Sequence, residues 1–236
     1  MSSVRQVLKS TLETLLPQKV LIARGRHLCT ETAESKTFVP AVSLTFDDGP
    51  HPEYTSRLLD NLASCGLRGT FFVVGELAQR YPDLIRRMSD EGHEVANHSW
   101  THSEPRETST AKFIDEVRRT RDFLEEITGQ PCRLMRPPKG ELTAGKLWGL
   151  MRAGQTVVLW NHDPRDYRME SYCEMEDWCR AYRPAHGDIV LMHDIYPHAA
   201  TAAVLLGTQS STAGLRYVTV SEWLRTAPRR EVALMK

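Results

Sequence analysis

From Val39 onward the chain alternates short apolar runs with longer segments of helical period, and this alternation limits the fold more than any other feature. Seven runs carry it: AVSLTF, TFFVVG, HEVAN, RLMRPP, TVVLW, DIVLMH and RYVTV. Their near-continuous apolarity predicts strands buried on both faces. The segments between them read as helices. Leu58, Leu59 and Leu62 share one face in SRLLDNLASCG, and Gly66 is its stop signal. PDLIRRMSDEG opens at Pro82 and closes at Gly92. In AKFIDEVRRTRDFLEEITG, Phe113, Val117, Leu124 and Ile127 recur at helical spacing before Gly129. Further helices are expected around 143–153, 171–181 and 199–206, and a last one begins at Ser221. Strands and helices in strict alternation imply a parallel α/β fold, either a barrel or an open sheet.

No linker, repeat or low-complexity tract divides residues 39–236, which read as one domain behind an N-terminal extension, 1–38. Within that extension Val4, Leu8, Leu12, Leu15 and Leu16 suggest a short amphipathic helix over 5–16. Thirty basic and 30 acidic residues balance without a basic cluster, which argues against a nucleic-acid or membrane-surface partner. No apolar run approaches the roughly 18 residues of a membrane span. The five cysteines, Cys29, Cys65, Cys132, Cys173 and Cys179, form no CxxC pair and suit free thiols in a reducing compartment. Cys173 and Cys179 read as ordinary packing. The start lacks a basic segment followed by an unbroken apolar one, so the expected location is cytoplasmic.

In parallel α/β folds chemistry collects at the C-terminal ends of strands. The costly polar residues of this chain fall there. Asp47 and Asp48 follow VSLTF, and His98 and His102 follow HEVA. RPPKG follows RLM, NHDPRDY follows TVVLW, and His193-Asp194 follow DIVLM. Asp48, His98 and His102 make a carboxylate-plus-two-imidazole set suited to a divalent metal with open positions. The doubled aspartate then has a purpose. Asp48 binds the ion, while Asp47 stays free to take a proton from the water that such a cation activates.

Taken together the motifs resemble the polysaccharide deacetylase family with the NodB homology domain (carbohydrate esterase family 4). Its segments stand here in family order as Thr45-Phe46-Asp47-Asp48-Gly49, His98-Ser99-Trp100-Thr101-His102, Arg136-Pro137-Pro138-Lys139-Gly140, Asp163-Pro164-Arg165-Asp166-Tyr167 and Leu191-Met192-His193. The connecting text GTFFVVG and EGHEVANH matches as well, and the likeness covers residues 41 to about 224. The resemblance implies a distorted (β/α)7 barrel, here with a short N-terminal helical extension. It also implies metal-dependent hydrolysis of an N-acetyl group on a sugar. Asp48, His98 and His102 would bind the metal, zinc first, with cobalt or nickel as alternatives. Asp47 would be the general base and His193 the general acid. Arg136 would pair with Asp47 and hold it ionised, and Asp166 would orient His193. The metal and the backbone N–H near Lys139 would hold the oxyanion. Pro138, Lys139, Gly140, Trp160, Asp163, Tyr167 and Leu191 would line the substrate site.

Two departures stand out. Lys139 replaces the family tyrosine and puts a long cation at the mouth, either solvated at the rim or facing an anionic substrate. Tyr167 replaces a tryptophan. Trp100, Trp148 and Trp160 are candidates either for stacking on sugar rings or for the core. Without a visible export signal, the expected substrate is an intracellular polysaccharide precursor, a lipid-linked sugar or a smaller acylated metabolite. Two alternatives stay open: a deacylase or deformylase acting on another non-peptide amide, and an inactive carbohydrate-binding relative. The oligomeric state has no signature in the sequence.

Overall fold

The computed structural model describes residues 20–21 and 40–226. The helix expected over 5–16 and Cys29 lie outside the described residues. The strands are β1 (Val20–Leu21), β2 (Ala41–Asp47), β3 (Thr70–Val73), β4 (Glu94–Asn97), β5 (Leu134–Met135), β6 (Thr156–Val158), β7 (Ile189–His193) and β8 (Arg216–Tyr217). The helices are α1 (Tyr54–Ser64), α2 (Gly75–Arg80), α3 (Pro82–Asp90), α4 (Thr110–Thr128), α5 (Ala144–Arg152), α6 (Tyr172–Ala181), α7 (His198–Ala213) and α8 (Val220–Thr226). Strand order runs β1-β6-β5-β4-β3-β2-β7, with β8 beside β2. Every pairing is parallel.

The sheet curls until its ends meet. His162, just past β6, bridges Val190 of β7, and the Leu191 N–H donates to the His162 carbonyl at 2.9 Å. Asn161 locks this seam, its Oδ1 accepting the Ile189 N–H at 2.7 Å. Beneath it the buried Asp188 carboxylate accepts from Tyr182 Oη at 2.8 Å and from the Ala185 N–H at 2.9 Å. From β2 onward, seven strands are each followed by helix, which gives the expected distorted (β/α)7 barrel. The distortion is visible in β5 and β8, two residues each, and in a closure made by a single bridge.

The period-2 alternation of strands sorts the side chains. Val42, Leu44 and Phe46 of β2, Phe71 and Val73 of β3, and Val190 and Met192 of β7 face outward. They pack on Leu58, Leu59, Leu62, Ala199 and Ala203 of α1 and α7. The alternate positions Phe72, Ala96, Leu134, Val158 and Ile189 form the inner core. Two residues further along three of those strands stand His98, Arg136 and Trp160. Four residues beyond Ile189 stands His193. The inner row of each strand therefore runs straight from apolar core into the polar end.

Helix ends follow their sequence signals. Ser109 accepts the Lys112 N–H at 3.2 Å and Thr143 the Lys146 N–H at 3.3 Å, caps worth about 1 kcal/mol each. Gly129 ends α4 with φ 66°. Helix α2 was not anticipated; its six residues bury only Gly75 and Ala78, too few for a periodic pattern. Helix α7 runs well past the expected 199–206. Cys179 is buried as expected, but Cys173 is exposed, because it lies on the outward face of α6. No described helix is long and apolar enough to cross a membrane.

Candidate active site

In an extended strand, consecutive carboxylates would point to opposite faces. Asp47 ends β2 on the inner row. Asp48 has φ 75°, a left-handed conformation that turns the chain and brings its side chain back toward the same centre. His98 Nε2 consequently lies 3.2 Å from Asp48 Oδ1 and 3.8 Å from Asp47 Oδ2. Such a conformation costs an L-residue about 1–2 kcal/mol. Among the described residues five non-glycines adopt it: Asp48, Ser99, His102, Lys139 and Arg165. All five sit in loops at the C-terminal ends of strands, where backbone strain tends to accompany function.

Asp48, His98 and His102 each offer one ligand atom, all within 4.8 Å of one another. His102 Nε2 stands 3.3 Å from Asp48 Oδ1. The Arg136 carbonyl, 2.7 Å from His98 Nδ1, can only accept, so Nδ1 carries a proton there. In the neutral ring, Nε2 then turns a lone pair toward Asp48. Asp48 Oδ1 is itself buried and accepts no hydrogen bond. Only a cation or an extra proton reconciles acceptors converging in this way. The donor set fits a divalent metal. Burial alone would raise the Asp48 pKa, but the adjacent His98, with the charges of His102 and His193, lowers it to about 2. Burial works against a charged His98, yet Asp47 and Asp48 outweigh it and raise its pKa. At His102 burial prevails and the pKa falls.

Arg136 is fully buried. Its Nη1 donates to Asp47 Oδ1 at 2.6 Å and to Thr45 Oγ1 at 2.8 Å, and its Nε to the Val158 carbonyl at 3.3 Å. Its guanidinium lies over Phe72, 4.2 Å from the ring centre, with Trp160 at 5.5 Å. Across the ring Asp166, also buried, holds His193 twice. Oδ1 lies 2.7 Å from Nδ1, and Oδ2 accepts the His193 backbone N–H at 2.7 Å. Burial opposes the imidazolium, but the hydrogen bond and charge of Asp166, with Asp47 and Asp48, raise the His193 pKa to about 9.

The 3₁₀ turn Pro138–Gly140 forms one wall. Pro138 is buried, and the Lys139 N–H meets no acceptor among the described residues. The Lys139 ammonium is exposed and paired with Glu104 at 2.6 Å. Trp160 lies against Gly140, where a Cβ would come 2.8 Å from its ring. Tyr167 is exposed and edge-on to His193 at 5.4 Å. Leu191 is buried on the inner row of β7. Asp163 is spent on its own turn, accepting the Arg165 N–H at 2.7 Å. Trp100 belongs to the interior, with Arg119 stacked 3.6 Å over it, whereas Trp148 is exposed on α5.

Several residues of the site went unassigned in the sequence. Asn97 is fully buried and ties the His98 turn down, accepting the Ser99 N–H at 2.8 Å and donating to the Val117 carbonyl at 2.7 Å. Glu116 is buried against Thr101. Its signal was a charge three residues after Phe113, on the apolar stripe of α4. Asp194 lies buried under the Asp48-Gly49 turn. It accepts from Thr55 Oγ1 at 2.6 Å, and burial pushes its pKa up to about 7.

A family model described as polysaccharide deacetylase matches residues 34–158. The peptidoglycan-N-acetylmuramic acid deacetylase PdaC of Bacillus subtilis is 34% identical over 217 residues, 90% of this chain. The chain spans only 45% of that relative's length. A peptidoglycan-N-acetylglucosamine deacetylase of Bacillus cereus is 35% identical, covering 78% of this chain and 88% of its own. A chitooligosaccharide deacetylase of Bradyrhizobium is 41% identical over 66% of this chain and 72% of its own. Among solved structures, that of Bacillus subtilis PdaC superposes with a TM-score of 0.73 at 34% identity, over 79% of this chain and 91% of that one.

Proposed function

The chain belongs to the polysaccharide deacetylase family, and on that premise we propose that it hydrolyses the N-acetyl group of an amino sugar using a divalent cation held by Asp48, His98 and His102. The observation that carries the reading is the unsatisfied Asp48 Oδ1 with two imidazole nitrogens converging on it. A nitrogen-rich, three-donor site with open positions favours zinc, with cobalt or nickel as substitutes. A cation bound there would polarise the acetyl carbonyl and acidify the attacking water.

The remaining work falls to the protein. Asp47 is the general base. Arg136 occupies its Oδ1, while its Oδ2 accepts no hydrogen bond from any described residue and is left for the proton of the water. Arg136, fixed by Thr45 and by two backbone carbonyls, keeps that carboxylate from rotating. The Lys139 N–H, projected by a left-handed residue, donates to the carbonyl oxygen as it gains negative charge. His193, held charged by Asp166, protonates the leaving amine. Tyr167 and Trp160 flank these groups with aromatic surface suited to a sugar ring. The relatives' names point to peptidoglycan or chitin-type oligosaccharides as the substrate class.

The test is metal analysis of the purified protein combined with acetate and formate release. The panel comprises N-acetylated chitooligosaccharides, peptidoglycan fragments and formylated amino sugars. One metal per chain and acetate release that stops on chelation are expected. Formate release without acetate release would transfer the enzyme to the deformylases. A metal-free, inactive protein would overturn the reading.

A further inference from the structure

The two histidines of the site are held in different ways. His98 has a direct partner, its Nδ1 donating to the Arg136 carbonyl at 2.7 Å. For His102, no hydrogen-bond acceptor meets the second ring nitrogen among the described residues. Its backbone is also strained, with φ 52°. Something else must keep its Nε2 aimed at Asp48.

The residues flanking His102 supply the answer. Glu116, on the second turn of α4, is buried with 6% exposure and reaches out of the helix to this loop. Its Oε2 accepts the Thr101 N–H at 3.2 Å, and both its oxygens accept from Thr101 Oγ1, at 3.0 and 3.1 Å. Oε2 also meets Ser103 Oγ at 3.5 Å. The carboxylate thus brackets His102 from both sides along the chain. The preceding residues are anchored independently, as the Ser99 and Trp100 carbonyls accept the N–H groups of Gly75 and Glu76, each at 3.0 Å. Helix α4 is itself fixed beneath the site by the Asn97–Val117 bond.

We propose that Glu116 is the positioning residue for the metal ligand His102, acting through the backbone as the Arg136 carbonyl acts directly on His98. A buried carboxylate has a desolvation cost that an apolar residue in the α4 stripe would avoid. Its bonds go to the two neighbours of a ligand and not to the helix's own core. Partners of metal ligands typically change metal affinity by about 10–100-fold when removed.

This inference rests on the metal reading above, and the experiment separates the two. Zinc binding to chelator-stripped protein is measured by calorimetry for wild type, Glu116→Ala, Glu116→Gln and Thr101→Val, alongside thermal melting of each metal-free protein. Glu116→Ala should bind zinc about 10–100-fold more weakly. Glu116→Gln should restore most of the affinity, since its amide oxygen can accept the Thr101 N–H while its NH₂ donates to Thr101 Oγ1. Thr101→Val, losing one hydrogen bond, should weaken binding about fivefold. If Glu116→Ala fails to fold, Thr101→Val with wild-type affinity would overturn the proposal. So would a folded Glu116→Ala that melts early yet binds zinc as wild type does, because that is a structural role only. A wild-type protein that binds no zinc would instead remove the metal reading itself.

Discussion

Replacing Asp166 by Asn tests the acid side of the chemistry most sharply. Asp166 uses both oxygens on His193 and one also on the Tyr167 N–H, at 3.1 Å. An asparagine matches only part of this set. With its oxygen on the His193 backbone N–H, its NH₂ faces Nδ1 and disfavours a proton there. The gap between a His193 pKa of about 9 and the ordinary 6.5 corresponds to about 3 kcal/mol. Asp166 is the largest source of that rise. Without its charge, burial should return the pKa to about 6.5 or below. At pH 7.5 the protonated fraction would then fall from about 97% to about 10%. Turnover should drop at least tenfold from protonation alone, with a further loss from misorientation.

The assay is acetate release between pH 5 and 10 at saturating substrate and metal. The alkaline limb should lie near pH 9 in wild type and move down by about 2.5 pH units or more in Asp166→Asn. Stability gives a second readout on chelator-stripped protein, where no cation offsets Asp47 and Asp48. The folded pKa lies above the unfolded one. The stabilisation is therefore complete below about pH 6.5 and is lost as pH rises through about 9. Wild type should lose up to about 3 kcal/mol over that window, and the variant much less. An alkaline limb at the same pH in both proteins would refute the assignment of His193 as the acid and of Asp166 as its support.

Asp47→Asn should keep one metal per chain by elemental analysis and lose about 10²–10⁴ in kcat, since only the base is removed; loss of the metal would show the two aspartates' roles to be reversed. Arg136→Met should cost about 3–5 kcal/mol in denaturant unfolding, because it leaves the Asp47 carboxylate buried and unpaired. A change under about 1 kcal/mol would mean that the pair is not coupled to folding. Gly75→Ala drives a methyl into Trp100 and Thr120 and should cost about 1–3 kcal/mol in a thermal melt. An unchanged melt would show that the His98 loop yields there.

The seven strands and most helices were legible because each buries a continuous run or a regular stripe, and those patterns are local. The donors of the site were legible for the same reason, as polar residues at the ends of apolar runs. What stayed hidden depends on contacts far apart in sequence. Glu116 bonds Thr101 across a loop, and Asn161 closes the ring against Ile189. Glu116 shows only as a charge on an apolar stripe, with no sign of its partner, and Asn161 leaves no periodic trace at all. The fate of Lys139 was hidden too, since its neutralising partner Glu104 lies 35 residues away. The left-handed backbone at Asp48 was equally invisible, because the residue following a strand carries no mark of which way it turns.

The division of labour proposed for Asp47 and Asp48 follows from charge pairing and not from their order. Asp47 has a fixed cation 2.6 Å away, Arg136, which is buried and has no other carboxylate partner among the described residues. Asp166 has His193 at 2.7 Å, held in its charged form. Unlike these two, Asp48 has no permanent cation, only two imidazoles whose charge depends on protons. Of Asp47, Asp48 and Asp166, it is the one with charge to offer an incoming ion. A metal that settled on Asp47 would have to displace a guanidinium held by four hydrogen bonds. At Asp48 it displaces at most a proton shared with His98. The left-handed turn at Asp48 lets both outcomes coexist, setting one carboxylate beside Arg136 and the other before the histidines.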